Sequence, residues 1–404
     1  MDEADRLNAD CNSAVLNQAA LQQALQAQGE TWHALVKERC PYLFAAVPVF
    51  ISPAQLRKMY EVISAVEKVV VMAGWQVESD EIRPVAKGVF FGYDFHLDEQ
   101  GVHLIEINTN AGGAYLNQVL IDSQRDAGLP GKAAATENLE PAFVAMFRNE
   151  WRLERGSAPF HSIAIVDEQP ETQYLYPEFL LAKKSLENAG FAVHIADPVA
   201  LQLREDGLYF GHQKIDMVYN RLTDFSLQKF PALRQAYLGA RVVLTPHPYA
   251  YARYADKRNL ARLSDVQVLR DLGVSEDDVS ILYAGIPATI SVRPDMDEQL
   301  WAERKQWFFK PDSGYGGRGA YRGEKVTRRV FGEILQGGYV AQKLAVPGER
   351  AVCVDDAGAV KLKYDVRCFV YDGQIQLVVG RLYQGQTTNL RTPGGGFALV
   401  RVVE

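Results

Sequence analysis

The chain sets a lysine directly before a cluster of glycines, Phe309-Lys310-Pro311-Asp312-Ser313-Gly314-Tyr315-Gly316-Gly317-Arg318-Gly319-Ala320. Gly314, Gly316, Gly317 and Gly319 carry no Cβ, so the backbone can turn its N–H groups onto an anion while Lys310 adds charge, which is phosphate-binding chemistry. This is not a Walker loop, because the lysine comes first and no Gly-Lys-Ser/Thr follows. A tight hairpin or linker would use the same glycines. Glu106-Ile107-Asn108 is a second set. On an extended strand Glu106 and Asn108 share a face, and their oxygens suit a hard cation such as Mg2+, with Asp94 on the partner strand as a third donor. A hydrated polar face would carry the same residue types. Near the C-terminus, the guanidinium groups of Arg367, Arg381 and Arg391 could clamp a phosphoryl group or a carboxylate by bidentate hydrogen bonds, with Asn389 beside them.

The elements that must position these groups are readable in outline. Trp307-Phe308-Phe309 reads as a buried strand leading into Lys310. Val89 to Leu97 and Val102 to Asn108 read as two strands of a hairpin around Asp98-Glu99-Gln100-Gly101. Helical spacing runs from about Asn12 to Ala73, with Ser52-Pro53 as cap and first-turn proline of its second half. From His161 onward, apolar strand runs alternate with helical stretches and predict a small parallel α/β layer, with ligands at the carboxyl ends of its strands. Asn220 and Arg221 stand at such an end. Arg221 is the candidate for holding a substrate carboxylate, with Asn220 beside it, although Asn220 and Asp224 equally suit a helix cap. The C-terminal third is strand-rich, and Asp372-Gly373 is a strong hairpin signal.

Composition bounds the reading. With 404 residues, 48% of them hydrophobic, the chain can bury large cores in two or three units. The boundaries expected are an N-terminal helical segment over 1–87, the hairpin unit over 88–150, an α/β unit over 155–250 and the lysine–glycine unit over 251–404. A net charge of −7 without any basic block argues against a nucleic-acid partner. No apolar run approaches a membrane span, and the acidic N-terminus matches neither a secretion signal nor a transit peptide. Cys11, Cys40, Cys353 and Cys368 are scattered, which predicts reduced thiols and a cytoplasmic location.

Taken in order, the motifs resemble the ATP-grasp superfamily, and in particular circularly permuted members similar to eukaryotic glutathione synthetase and glutathionylspermidine synthetase-like proteins. Lys257, then Lys310 with its glycines, the hinge Ala341-Gln342-Lys343-Leu344, Asp365-Val366-Arg367, Arg381 and Asn389 keep the superfamily's order. Asp94 and Glu106-x-Asn108, which close that order elsewhere, stand at the front. The resemblance covers roughly 88–117 and 220–404. It implies an α/β (α+β) ATP-grasp fold, circularly permuted, with an inserted small parallel α/β substrate domain and an N-terminal helical segment. It further implies ATP held by Lys257, Lys310, the four glycines, Gln342, Lys343, Leu344 and Glu349, and Mg2+ on Asp94, Glu106 and Asn108. Arg367, Arg381, Asn389 and Arg391 would surround the migrating phosphoryl group. The glutamate that the eukaryotic synthetase places in its glycine loop is missing, with Asp312 as the candidate substitute.

The activity implied is that of a carboxylate–amine ligase, which joins a small-molecule acid to an amine through an acyl phosphate and releases ADP and phosphate. A homodimer is compatible with this reading. A phosphotransferase on the same fold and a non-catalytic nucleotide-binding module are the alternatives.

Overall fold

The structure, a computed structural model, describes residues 2–77, 82–136, 138–314, 316–354 and 358–404. Its largest sheet runs Val49–Ile51, Gly396–Val402, Gln374–Tyr383, Gly358–Tyr371, Phe91–Asp98, Gly101–Asn108. Gly348–Val354 pairs with Gly358–Tyr371, and Lys132–Ala133 with Gly396–Val402, so the sheet has eight strands. The pairing is antiparallel throughout except between Val49–Ile51 and Gly396–Val402. The early hairpin thus completes a sheet built mostly from the C-terminal third, with Arg367 directly opposite Asp94.

The hairpin forms as its pattern predicts, with one displacement. Its first strand begins at Phe91 rather than Val89, because Phe90 takes a left-handed φ of 55°. The strain of that conformation is offset by the ring, which packs within 5.0 to 6.1 Å of Phe143, Tyr115, Tyr219 and Phe147. At the turn, Asp98 Oδ1 accepts from the backbone N–H groups of Gln100 and Gly101, which fixes the loop between the strands.

The second helical half is the helix Pro53–Val70. Ser52 and Gln55 close a reciprocal capping box at its start, and Met59, Val62, Ile63, Val66 and Val70 bury one stripe in the core shared with the large sheet. The first half is broken into Gln18–Gln26 and Glu30–Arg39, and a further helix, Glu3–Ala9, precedes it.

The middle unit carries a parallel sheet ordered Val243–Thr245, Met217–Asn220, Ser162–Val166, Ala192–Ala196. The chain leaves Ser162–Val166 toward one edge and returns to build the other, so a topological switch point lies between Ser162–Val166 and Met217–Asn220. A three-stranded antiparallel sheet, Leu201–Arg204, Gly207–Phe210 and Gln213–Ile215, is inserted between them. Its strands are three or four residues long, too short to show a period in the sequence.

A further sheet orders Thr289–Ser291, Tyr339–Lys343, Trp307–Pro311 and Tyr321–Arg322. Phe309 anchors its core with Trp307, Leu300 and Phe331, while Phe308 and Lys310 alternate to the other face.

The expectation of reduced thiols changes for two of the four cysteines. Cys11 and Cys353 form a disulfide across 342 residues of sequence, whereas Cys40 and Cys368 are free and buried. Nothing in the spacing could show this, since the pair meets only because the N-terminal arm lies along Gly348–Val354. Arg350 anchors that arm: fully buried, it donates from Nη1 to the carbonyls of Asn8 and Asp10 and from Nε to that of Pro48. Among the described residues, no helix is long and apolar enough to cross a membrane.

Candidate nucleotide site

The glycine loop, the hinge and the early hairpin meet around one pocket. It is lined by Asp94, Glu106, Asn108, Lys257, Lys310, Gly314, Gly316, Gly317, Gln342, Lys343, Leu344, Arg367 and Arg381 among the residues picked out by sequence. It is also lined by His96, Arg318, Ala345, Asp365, Gln386, Thr387 and Thr388. Residues separated by most of the chain are therefore brought together.

The lysines form one wall. Lys257 Nζ lies 3.1 Å from Glu106 Oε1 and donates to the carbonyl of Gly314 at 3.1 Å. Burial works to lower its pKa, but the charge and hydrogen bond of Glu106, with Tyr251 and Asp256 nearby, together outweigh it and raise the group above the ordinary lysine value. Lys310 Nζ donates at 2.8 Å to both the carbonyl of Ile105 and Oε1 of Gln342. Burial, reinforced by the neighbouring charge of Lys257, pushes its pKa down to about 8. The hinge is fixed from behind: Gln342 Nε2 donates to Thr289 Oγ1, Leu344 N–H donates to the carbonyl of Gln306, and Lys343 Nζ reaches Gln306 Oε1 at 2.8 Å. His96 Nδ1 lies 2.8 Å from the carbonyl of Ala345.

The glycines are required where the loop is closest to its neighbours. Gly317 has φ 68°, and a Cβ there would meet Thr387 Oγ1 at 2.9 Å. Gln386 also accepts from the N–H of Arg322, so the segment after Arg381 lies against the glycine loop. Tyr315 falls outside the described residues. Gly319, with φ 68°, does not line the pocket, and a Cβ there would meet Pro311 and Tyr339.

The opposite wall is a chain of ion pairs. Arg367 Nε and Nη2 meet the two oxygens of Asp94 at 2.7 Å each, and Arg381 Nη2 reaches Asp94 Oδ2 at 2.9 Å. Arg381 is itself held by Asp365 at 2.7 and 2.9 Å, and Thr388 donates to the same carboxylate. Burial would raise the Asp94 carboxyl, but the two arginines hold it below the usual carboxylate range. Burial likewise opposes, and Lys257 and Lys310 outweigh, to keep Glu106 low.

Among the described residues, no group of three or more His, Cys, Asp and Glu side chains is arranged for a metal ion. Glu106 and Asn108 do share a face of their strand and both line the pocket. Two such oxygens fit Mg2+ when phosphate oxygens and water complete the shell. Asp94 differs from the expectation: both its oxygens already accept from arginine, and Oδ2 also accepts from Asn108 Nδ2.

Besides Gly319 and Asp312, five residues picked out by sequence lie elsewhere. Glu349 points away from buried Arg350 by strand alternation and pairs with Lys361 at the surface. Asn389 folds its own segment, accepting from Arg391 N–H and Thr392 Oγ1, and Arg391 lies 5.8 Å from the Tyr174 ring. Asn220 is buried and shapes the turn after its strand, accepting from Leu222 N–H and donating to the carbonyl of Pro246. Arg221 is buried too, its Nη1 donating to the carbonyls of Asn110 and Ala111. These carbonyls come just after Glu106-x-Asn108, so Arg221 ties the parallel sheet to the hairpin wall. Asp167, at the neighbouring strand end, is pushed by burial up to about 6 against the pull of Arg221. Both residues sit at the switch point.

The sheet architecture and this pocket define an ATP-grasp-like fold. The fold is similar to that of the apo form of a glutathione synthetase like-effector, GSS30, from Globodera pallida, which superposes with a TM-score of 0.58 at 10% identity, covering 96% of this chain and 97% of that one. That likeness establishes the fold alone. A candidate gamma-glutamylcysteine synthetase from Methylobacillus flagellatus KT scores 0.49 at 11% identity, covering 84% and 85%. The ATP-grasp ligase PsnB, complexed with a minimal precursor, Mg and ADP, scores 0.31 at 14% identity, covering 59% and 88%. Both scores are too low to argue a shared fold. No protein-family model matches the chain, and no curated protein matches it by sequence.

Proposed function

We propose that the protein is an ATP- and magnesium-dependent carboxylate–amine ligase. The observation that carries this reading is the single pocket in which Lys257, Lys310 and the glycine loop face Glu106 and Asn108. The lysines and the loop backbone would hold the phosphates, with Lys310 bonded to Gln342 of the hinge that would receive the base. Glu106 and Asn108 would hold Mg2+, which neutralises phosphate charge when bound. Asp94 acts as the anchor that fixes Arg367 and Arg381 near the phosphoryl group.

A substrate carboxylate attacks the γ-phosphorus, ADP leaves, and an amine displaces phosphate from the resulting acyl phosphate to give an amide. The chain's own part is positioning, charge neutralisation and exclusion of water by the glycine loop and the segment from Gln386 to Thr388. The acid is assigned to the side of the pocket nearest Arg221, with Asn220 shaping the turn that presents it. Small-molecule substrates, a cytoplasmic location and a homodimer belong to the same proposal.

The test is coupling. With Mg2+ and ATP, ADP and phosphate are expected only when pools of amino acids or short peptides and pools of amines are both present, together with a condensed product by mass. ADP formation with a stable phosphorylated acceptor, and no need of an amine, would favour a phosphotransferase.

A further inference from the structure

Tyr251 does not line the pocket, yet it touches two segments that the reaction must coordinate. Residues Tyr251–Ala255 form one π-turn, in which Asp256 N–H donates to the carbonyl of Tyr251 at 3.1 Å. Such a turn holds one residue more than an α-turn and re-aims the chain beyond it. Lys257 is the residue it re-aims: its N–H donates to the carbonyl of Asp312 at 2.9 Å, and its Nζ donates to that of Gly314. The Tyr251 hydroxyl donates to Ser313 Oγ at 3.2 Å. One short segment therefore grips three consecutive residues at the root of the glycine loop.

The ring of Tyr251 makes the second connection. It stacks on Phe225 at 4.0 Å with an interplanar angle of 7°. Phe225 belongs to the loop that leaves the strand Met217–Asn220 and carries Arg221. A continuous path runs from the strand end through Phe225 and Tyr251 to Ser313.

We propose that Tyr251 is a positioning residue that sets the closed placement of the glycine loop and couples it to the loop carrying Arg221 and Phe225. The proposal rests on the nucleotide-binding part of the function above. Losing the hydroxyl alone is expected to weaken closure roughly two- to tenfold, the worth of one hydrogen bond. Losing the stack leaves the hydroxyl in place but frees the ring that aims it.

The experiment reads loop closure without any acid or amine. Arg318 is exposed within the glycine loop, so trypsin cleavage of the Arg318–Gly319 bond, followed by mass, reports whether Mg2+ with a non-hydrolysable ATP analogue protects it. Tyr251→Phe and Ser313→Ala are each expected to raise the half-protecting analogue concentration two- to tenfold, and the double variant no further than the larger single effect. Phe225→Ala raises it as well, and combined with Tyr251→Phe falls short of the product of the two. Parent-like protection in Tyr251→Phe, or effects that simply multiply, overturns the proposal alone. A parent that shows no protection at any analogue concentration overturns the nucleotide-binding reading and this proposal with it.

Discussion

Arg367 and Asp94 face each other across neighbouring antiparallel strands, and Nε and Nη2 of the arginine each reach one carboxylate oxygen at 2.7 Å. Arg381 and Asp365 extend this pair into a buried cluster in which every charge has an opposite neighbour. Breaking a buried pair leaves its partner uncompensated, which costs about 3–5 kcal/mol. Asp94→Asn is therefore expected to lower the unfolding free energy by that scale, read as a lower urea midpoint at unchanged slope, and to abolish turnover. Arg367→Lys keeps the charge but loses the two-point contact, so its loss of stability is smaller and its loss of turnover comparable.

Lys310 gives the site a pH dependence. Its folded pKa of about 8 lies below the ordinary lysine value of 10.5, so the unfolded chain binds the proton more readily. Stability from this group therefore rises as pH climbs from about 8 towards 10.5, and the cost of burying the charge is fully present below 8. Phosphate binding runs the opposite way, because it needs the charged form. Nucleotide affinity measured by titration calorimetry is expected to fall from pH 8 to 9.5, and Lys310→Arg to flatten the profile.

Glu106 and Asn108 are assigned to the cation. Glu106→Ala and Asn108→Ala are each expected to weaken magnesium-dependent nucleotide binding by about tenfold or more, the scale of a lost charged contact, and chelation of Mg2+ by EDTA to stop turnover in the parent. Unchanged binding in both variants would remove the metal from this strand. Glu106→Ala also leaves Lys257 without its carboxylate, so nucleotide binding in EDTA is expected to change in this variant and not in Asn108→Ala.

The thiol count is set by the Cys11–Cys353 bond, which leaves Cys40 and Cys368 free. In denaturant, a thiol reagent is expected to find two groups without reductant and four after reduction. Reduction is expected to lower stability by about 2–4 kcal/mol, as closure of a long loop is lost.

Much of the site was legible in the sequence because its chemistry is local. Lys310 with its glycines, and Glu106 with Asn108, are defined by neighbours along one strand or loop, and the Ser52 cap and the Asp372-Gly373 turn likewise need only adjacent residues. The features that the sequence hid are set by register and by distance along the chain. Strand alternation turned Glu349 outward because Arg350 turned inward. Nothing in the strand of Asp94 shows that Arg367 lies opposite it and takes both of its oxygens. His96 and the Gln386 to Thr388 segment carry no motif, although His96 two residues after Asp94 shares its strand face and was findable by the same alternation rule. Phe90 was misread because a bulky apolar residue at positive φ looks like any strand residue.

The central claim is that a carboxylate attacks the γ-phosphorus of ATP, and oxygen transfer tests it most directly. The protein would be incubated with Mg2+, ATP, pooled amines and pooled amino acids labelled with 18O in their carboxyl groups, and the phosphate and nucleotide products resolved by mass. The account predicts ADP, with one 18O carried into the released phosphate for each amide formed. Labelled AMP, or unlabelled phosphate accompanying amide formation, would contradict it.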